Sequence, residues 1–170
     1  SWWEWVERNY EKLVHVFKKL KTDWINIDLV FLWDTISKNI SLRKLILDLN
    51  MQNNISFIGV IKANEKILFY KNSIWVIFPS FYEPFPFRLT EPLFFNTPII
   101  SSDLKNIKDI FSNKIEYMSP ISVNNIYEKI KSFLENINSS NINTIENNYE
   151  DIIKKYSKQN SVNKLLEIIK

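Results

Sequence analysis

Hydrophobic and polar positions alternate along this chain with two different periods, and the alternation predicts its elements. In WVERNYEKLVHVFKKLK, Val6, Leu13, Phe17 and Leu20 recur at helical spacing with Lys12, Lys18 and Lys19 outside, which predicts an amphipathic helix. IDLVFLW, residues 27–33, is a continuous β-branched and aromatic run, the mark of a strand buried on both faces. SLRKLILDLN returns to helical period, ISFIGV reads as a second short buried strand, ANEKILFYKN as a helix and SIWVIF as a third strand. A helix is expected from about Phe87 to Phe95, then PIIS as a fourth strand, DLKNIKDIF as a short helix capped by Asp103, and KIEYM as the last strand. From Val123 onward the chain reads as largely helical, with the Asn-rich NINSSNINTIENN, residues 136–148, joining two C-terminal helices. Strand alternating with helix at this spacing predicts an α/β fold, a parallel sheet with helices on both faces.

Length and composition add limits. At 170 residues, 45% apolar and 24% charged, the chain suits one globular domain spanning 1–170. The net charge of +3 gives no ground for a nucleic-acid partner; a mild basic surplus favours phosphorylated ligands or an anionic membrane surface. With no cysteine, disulfides and thiolate metal sites are excluded, and His15, the only histidine, has no carboxylate or second histidine at a telling spacing. No apolar run approaches the ~20 residues a bilayer span needs, and the N-terminus lacks signal-peptide order, so a cytoplasmic protein is expected.

The candidate chemistry lies in FYEPFPFRLTEPLFFNTPIIS, residues 81–101. Glu83 and Glu91 stand among aromatic, proline and aliphatic residues that ought to be buried, and buried acids need a partner or a ligand. Pro86, with its fixed backbone angle and missing donor, suits the first helical turn. The N–H groups of Phe87, Arg88 and Leu89 would then face the crevice at the carboxyl ends of the strands as an anion site, with the Arg88 charge beside them. An anion between two carboxylates is repelled unless the acids address neutral parts of the same ligand. Sugar hydroxyls are such parts, since a carboxylate accepts two hydrogen bonds from a diol. Hydroxyls, phosphate and hydroxyls in that order describe a nucleotide sugar.

With Pro79, Ser80, Glu83, Phe85, Glu91, Thr97, Pro98, Ile99, Ile100 and Ser102 in place, the segment resembles the donor-site signature of the family 4 retaining glycosyltransferases of GT-B fold. ISFIGVIKANEKILFYKNSIWVIFPS is similar to the family's elements leading into that signature, ERNYEKLVHVFKKLK to the helix after its phosphate motif, and YSKQNSVNKLLEIIK to its terminal helix. The resemblance implies the Rossmann-like, donor-binding half of a GT-B fold, lacking its first strand, with the acceptor half on a separate chain or a missing segment. It implies that Glu91 holds the ribose hydroxyls and that Glu83 faces the transferred sugar as the catalytic-site carboxylate. The backbone of Phe85, Phe87, Arg88 and Leu89 would bind the diphosphate, with Arg8 in the place of the family's phosphate-binding lysine, and Val60 and Ile61 would lie near the base. The implied reaction is glycosyl transfer from a UDP- or GDP-sugar with retention, without a cofactor or required metal, to an unidentified sugar, lipid or protein acceptor.

Several positions depart from the family text. Pro84 and Pro86 replace glycines and remove backbone donors from the phosphate loop, while Asn96 replaces a glycine but tolerates left-handed backbone. Trp33 stands where the family has glycine after its strand, and SWWEW where it has the upstream arginine of the phosphate motif. The alternative reading is a non-catalytic domain of the same fold that pairs with a partner subunit or a membrane surface. In it Trp2, Trp3 and Trp5 either anchor at the membrane interface or cover a sheet edge, Glu83 and Glu91 are ordinary helix-start and surface acids, and Arg8 and Arg88 are solvated.

Overall fold

The structure, a computed structural model, describes residues 8–32, 39–84, 86–139, 152 and 154. In chain order the elements are α1 (Tyr10–Thr22), β1 (Leu29–Phe31), α2 (Ile40–Asp48), β2 (Ile55–Phe57), α3 (Ala63–Asn72), β3 (Val76–Phe78), α4 (Phe87–Leu93), β4 (Ile99–Ser102), α5 (Lys105–Phe111), β5 (Glu116–Met118) and α6 (Val123–Ser139). Among the described residues three strand pairings form, all parallel: β1 with β2, β3 with β4, and β4 with β5. They form a two-stranded and a three-stranded sheet, and among the described residues no strand joins the two.

The expected layering shows in β4. Ile99 and Ile100 are both fully buried, yet they enter different cores, because successive strand residues face opposite ways. Ile100 joins a large cluster with Leu13, Phe17 and Leu20 of α1, Leu42 and Ile46 of α2, and Ile126 and Ile130 of α6. Ile99 joins a smaller one with Leu89 and Leu93 of α4 and Ile107 and Phe111 of α5, to which Ile152 also packs. Helices therefore cover both faces of β4. α1 forms for the reason its pattern suggested: Leu13, Val14, Val16, Phe17 and Leu20 are buried on one face, which packs against α6 and α2. At its end Tyr127 of α6 donates to the Asp23 carboxylate, and the Lys19 ammonium lies 3.8 Å from the Tyr127 ring centre.

Three expectations change. IDLVFLW is not buried on both faces: Leu29 and Phe31 are buried, but Val30 between them is 41% exposed. ISFIGV stops pairing at Phe57, because Gly59 turns the chain with φ +80, a left-handed value that suits glycine, and leaves Val60 exposed. Asp103 stands one residue too early to cap α5. Leu104 precedes that helix, and the Asp103 carboxylate instead pairs with Lys108 at 3.6 Å. The expected left-handed Asn96 is found, with φ 52, and closes α4 through its N–H to the Leu93 carbonyl. Trp2, Trp3, Trp5, Trp33, most of the Asn-rich stretch and all of YSKQNSVNKLLEIIK, the expected terminal helix, lie outside the described residues. No helix among the described residues is long and apolar enough to cross a membrane.

Candidate functional site

A cleft of about 520 Å³ runs between the facing edges of β1 and β3. Its inner walls are apolar, with Leu29, Phe31, Ile77 and Phe78 among them, whereas Arg8, Lys66, Arg88 and Glu91 also line it. Ser80, which follows β3, marks the carboxyl end of the strands on that lining. The polar groups thus meet where a parallel sheet presents its loops to ligand.

Asn9 fixes the first of these groups. It has left-handed backbone (φ 59), is buried, and donates from Nδ2 to the Pro79 carbonyl at 3.0 Å and the Pro120 carbonyl at 2.8 Å. One amide side chain therefore ties the start of α1 to the segments leaving β3 and β5. Arg8, the preceding residue, is held over the loop after β3. Its Nη1 donates to Glu83 Oε2 at 2.7 Å, and the two side chains are 17% and 12% exposed. This is a short, charge-assisted contact in a place with little water. Asn106 of α5 donates to the Glu83 main-chain carbonyl, so loop and side chain are both restrained. The sequence placed Glu83 and Arg8 as separate contacts to sugar and phosphate; the fold pairs them with each other.

Glu91 is held differently. It lies on α4 and accepts from two residues one turn apart on α3: Lys66 Nζ at 2.9 and 3.2 Å, and Tyr70 Oη at 2.8 Å. α3 is started by a local bond, the Lys62 N–H donating to the Glu65 carboxylate at 2.8 Å, and the i, i+4 spacing brings Lys66 and Tyr70 to one face. The Tyr70 ring stacks on Phe95 with centroids 5.9 Å apart, and its carbonyl accepts from the buried Thr97 hydroxyl at 2.9 Å. Burial, and then the bond to the Glu91 carboxylate, push the Tyr70 hydroxyl well above the ordinary phenol range, with Arg88 opposing. The phenol therefore stays a donor at neutral pH. Glu91 itself remains 46% exposed on its side chain.

The other sequence candidates divide. Arg88 lines the cleft. Leu89 does not offer a free amide, because its N–H closes the first turn on the Pro86 carbonyl at 3.0 Å and its side chain is buried in the smaller core. α4 begins at Phe87, as Pro86 suggested, with Pro86 as the residue before the helix. Val60 is 80% exposed in the loop after β2, and neither it nor Ile61 lines the cleft. Phe85 lies outside the described residues. Reading the sequence missed Lys66, Tyr70, Asn9 and Asn106. Lys66 and Tyr70 carry a faint signal, since their i, i+4 spacing puts a cation and a phenol on one face of a helix.

The chain matches the family model described as "Glycosyl transferases group 1" over residues 6–162. It belongs to that family. Among relatives of this group, it is 26% identical over 117 residues to the O-antigen chain mannosyltransferase RfbU of Salmonella typhimurium, a match covering 68% of this chain and 32% of the relative. It is 38% identical over 93 residues to the uncharacterized glycosyltransferase MJ1059 of Methanocaldococcus jannaschii, covering 55% of this chain and 22% of the other. The chain therefore spans less than a third of the length of the curated relatives it matches. Among solved structures, Anabaena Alr3699/HepE in complex with UDP superposes with a TM-score of 0.79 at 14% identity, covering 96% of this chain and 45% of that one. The fold is accordingly that of one half of a GT-B glycosyltransferase.

Proposed function

We propose that this domain binds the nucleotide-sugar donor of a retaining glycosyltransferase, a UDP- or GDP-sugar, and that its site works without a required metal. The observation that carries the reading is that both signature carboxylates are engaged by cations that line one cleft, Glu83 by Arg8 and Glu91 by Lys66, although Glu83 itself is not among the lining residues. A site so arranged is nearly charge-neutral on its acids, so an anionic diphosphate can enter it. Glu91 takes the ribose hydroxyls and Glu83 faces the sugar. Arg8 and Arg88, with the Phe87 and Arg88 amides at the start of α4 but not the Leu89 amide, take the diphosphate. The exposed Val60 and the half-buried Ile61 then stand on the base side. UDP in the HepE complex and the mannosyltransferase activity named for RfbU support the ligand class.

In the transfer, the bond from the anomeric carbon to the diphosphate breaks and a bond to an acceptor oxygen forms on the same face. The acceptor proton passes to the departing diphosphate, whose charge the cations stabilise. Glu83 positions the sugar and does not act as a base. The acceptor is contributed by a second domain or chain, in the cytoplasm or at the membrane surface.

Isothermal titration of the protein with UDP and with GDP tests the reading. One of them is expected to bind below millimolar concentration, and Glu91→Ala to weaken it about tenfold, the loss of a hydrogen-bonded charge. Failure of both nucleotides at millimolar concentration, or indifference to Glu91→Ala, rules the assignment out.

A further inference from the structure

Glu91 carries more contacts than a carboxylate awaiting a diol can keep. An ionised carboxylate offers about four lone-pair sites, two on each oxygen. Lys66 reaches both oxygens, at 3.2 Å to Oε1 and 2.9 Å to Oε2, and Tyr70 reaches Oε2 at 2.8 Å. Three sites are then taken, and Oε2 has none left for a ligand. A ribose that donates two hydroxyl hydrogens to Glu91 must displace one of the present donors.

The two donors differ in how readily they leave. Tyr70 is anchored at three points: its ring stacks on Phe95, its backbone carbonyl holds the Thr97 hydroxyl, and the residue as a whole is 9% exposed. Moving its hydroxyl would unpack that contact. Lys66 reaches from a flexible four-carbon stem with a side chain 27% exposed, and its ammonium stays solvated when it swings away. The last torsion of a glutamate is broad and two-fold, so an unsupported Glu91 would rotate freely. One fixed donor on Oε2 is enough to hold the carboxylate plane while three lone-pair sites remain for the ligand.

We infer that Tyr70 is a positioning residue that fixes the Glu91 carboxylate for a ribose diol, and that Lys66 is a placeholder on the same carboxylate which the incoming diol displaces. This rests on the donor-site reading above and adds to it which side chains set selectivity for ribose over deoxyribose. Once displaced, the Lys66 ammonium is left at the cleft that Arg88 also lines, where the diphosphate is proposed to lie.

The test compares UDP and GDP with their 2′-deoxy counterparts by titration against the unmodified protein, Tyr70→Phe and Lys66→Met. The unmodified protein is expected to favour the ribonucleotide about tenfold, as for one hydrogen bond to a charged group. Tyr70→Phe should lose most of that preference while binding the 2′-deoxynucleotide as before, an outcome that general damage to the fold would not give. Lys66→Met should keep the preference within about twofold. A Tyr70→Phe protein that still discriminates overturns the positioning role, and a Lys66→Met protein that ceases to discriminate overturns the placeholder. If neither nucleotide binds the unmodified protein, or if ribose and deoxyribose bind equally, the donor-site reading itself fails and this inference with it.

Discussion

The two signature acids are held in opposite ways. Glu83 sits on a loop, 12% exposed, and its carboxylate is gripped by one guanidinium that is itself nearly buried. Glu91 sits on a helix, 46% exposed, and is surrounded by an ammonium and a phenol from a neighbouring helix. A buried single pair stakes fold stability on its partner, because a lone charge left behind has little water to turn to. An open, multiply bonded acid puts little stability at risk and keeps its lone pairs exchangeable, which is what a ligand contact needs. The difference teaches that equal spacing in a motif does not mean equal energetics.

Removing the cation from each pair breaks or sharpens that contrast. Arg8→Ala should lower stability by roughly 2–3 kcal/mol, just under the range for stripping a buried charge of its partner since both side chains still touch solvent. The urea midpoint measures it, and the Arg8→Ala, Glu83→Ala double variant should recover part of the loss. Lys66→Ala should cost under about 1 kcal/mol in the same experiment, as is usual for exposed pairs. Equal losses in the two variants would erase the distinction between the acids.

The smallest effect concerns pH. The Tyr70 hydroxyl is raised by burial and by Glu91, and burial pushes the Tyr117 hydroxyl up to about 12. Below about pH 10, the value of an unfolded tyrosine, both states keep these protons, so their contribution is fully present and does not change with pH. Above it the unfolded chain ionises first, so their contribution falls as pH rises through the folded values. Denaturation midpoints across that alkaline range should drop less steeply in Tyr70→Phe and in Tyr117→Phe than in the unmodified protein, and superimposable profiles would contradict the assignment.

Much of the architecture was legible because it depends on local period. The face of α1 carrying Leu13, Phe17 and Leu20 is buried as its spacing implied, and PIIS became the central, doubly buried β4. The limits of the strands were not legible. Val30 reads as core by composition but faces the cleft, and nothing in IDLVFLW tells how far the neighbouring strand edge lies. In the site, Glu83, Glu91, Arg8 and Arg88 could be found because they sit in or beside a quotable motif. Lys66 and Tyr70 left only the faint signal of their shared helix face, since their meaning depends on α3 lying against α4, a contact between residues 21 and 25 positions apart.

The order of helices and strands, the two signature acids and the left-handed turn at Asn96 were determined by the sequence itself, through side-chain period and backbone preference, which act over a few residues. Which donor each acid meets was decided by tertiary structure. The Arg8 contact joins residues 75 positions apart, and Asn9 secures it through a bond spanning 111. Such pairings follow from how packed elements set side chains side by side, and no local rule of the chain encodes that.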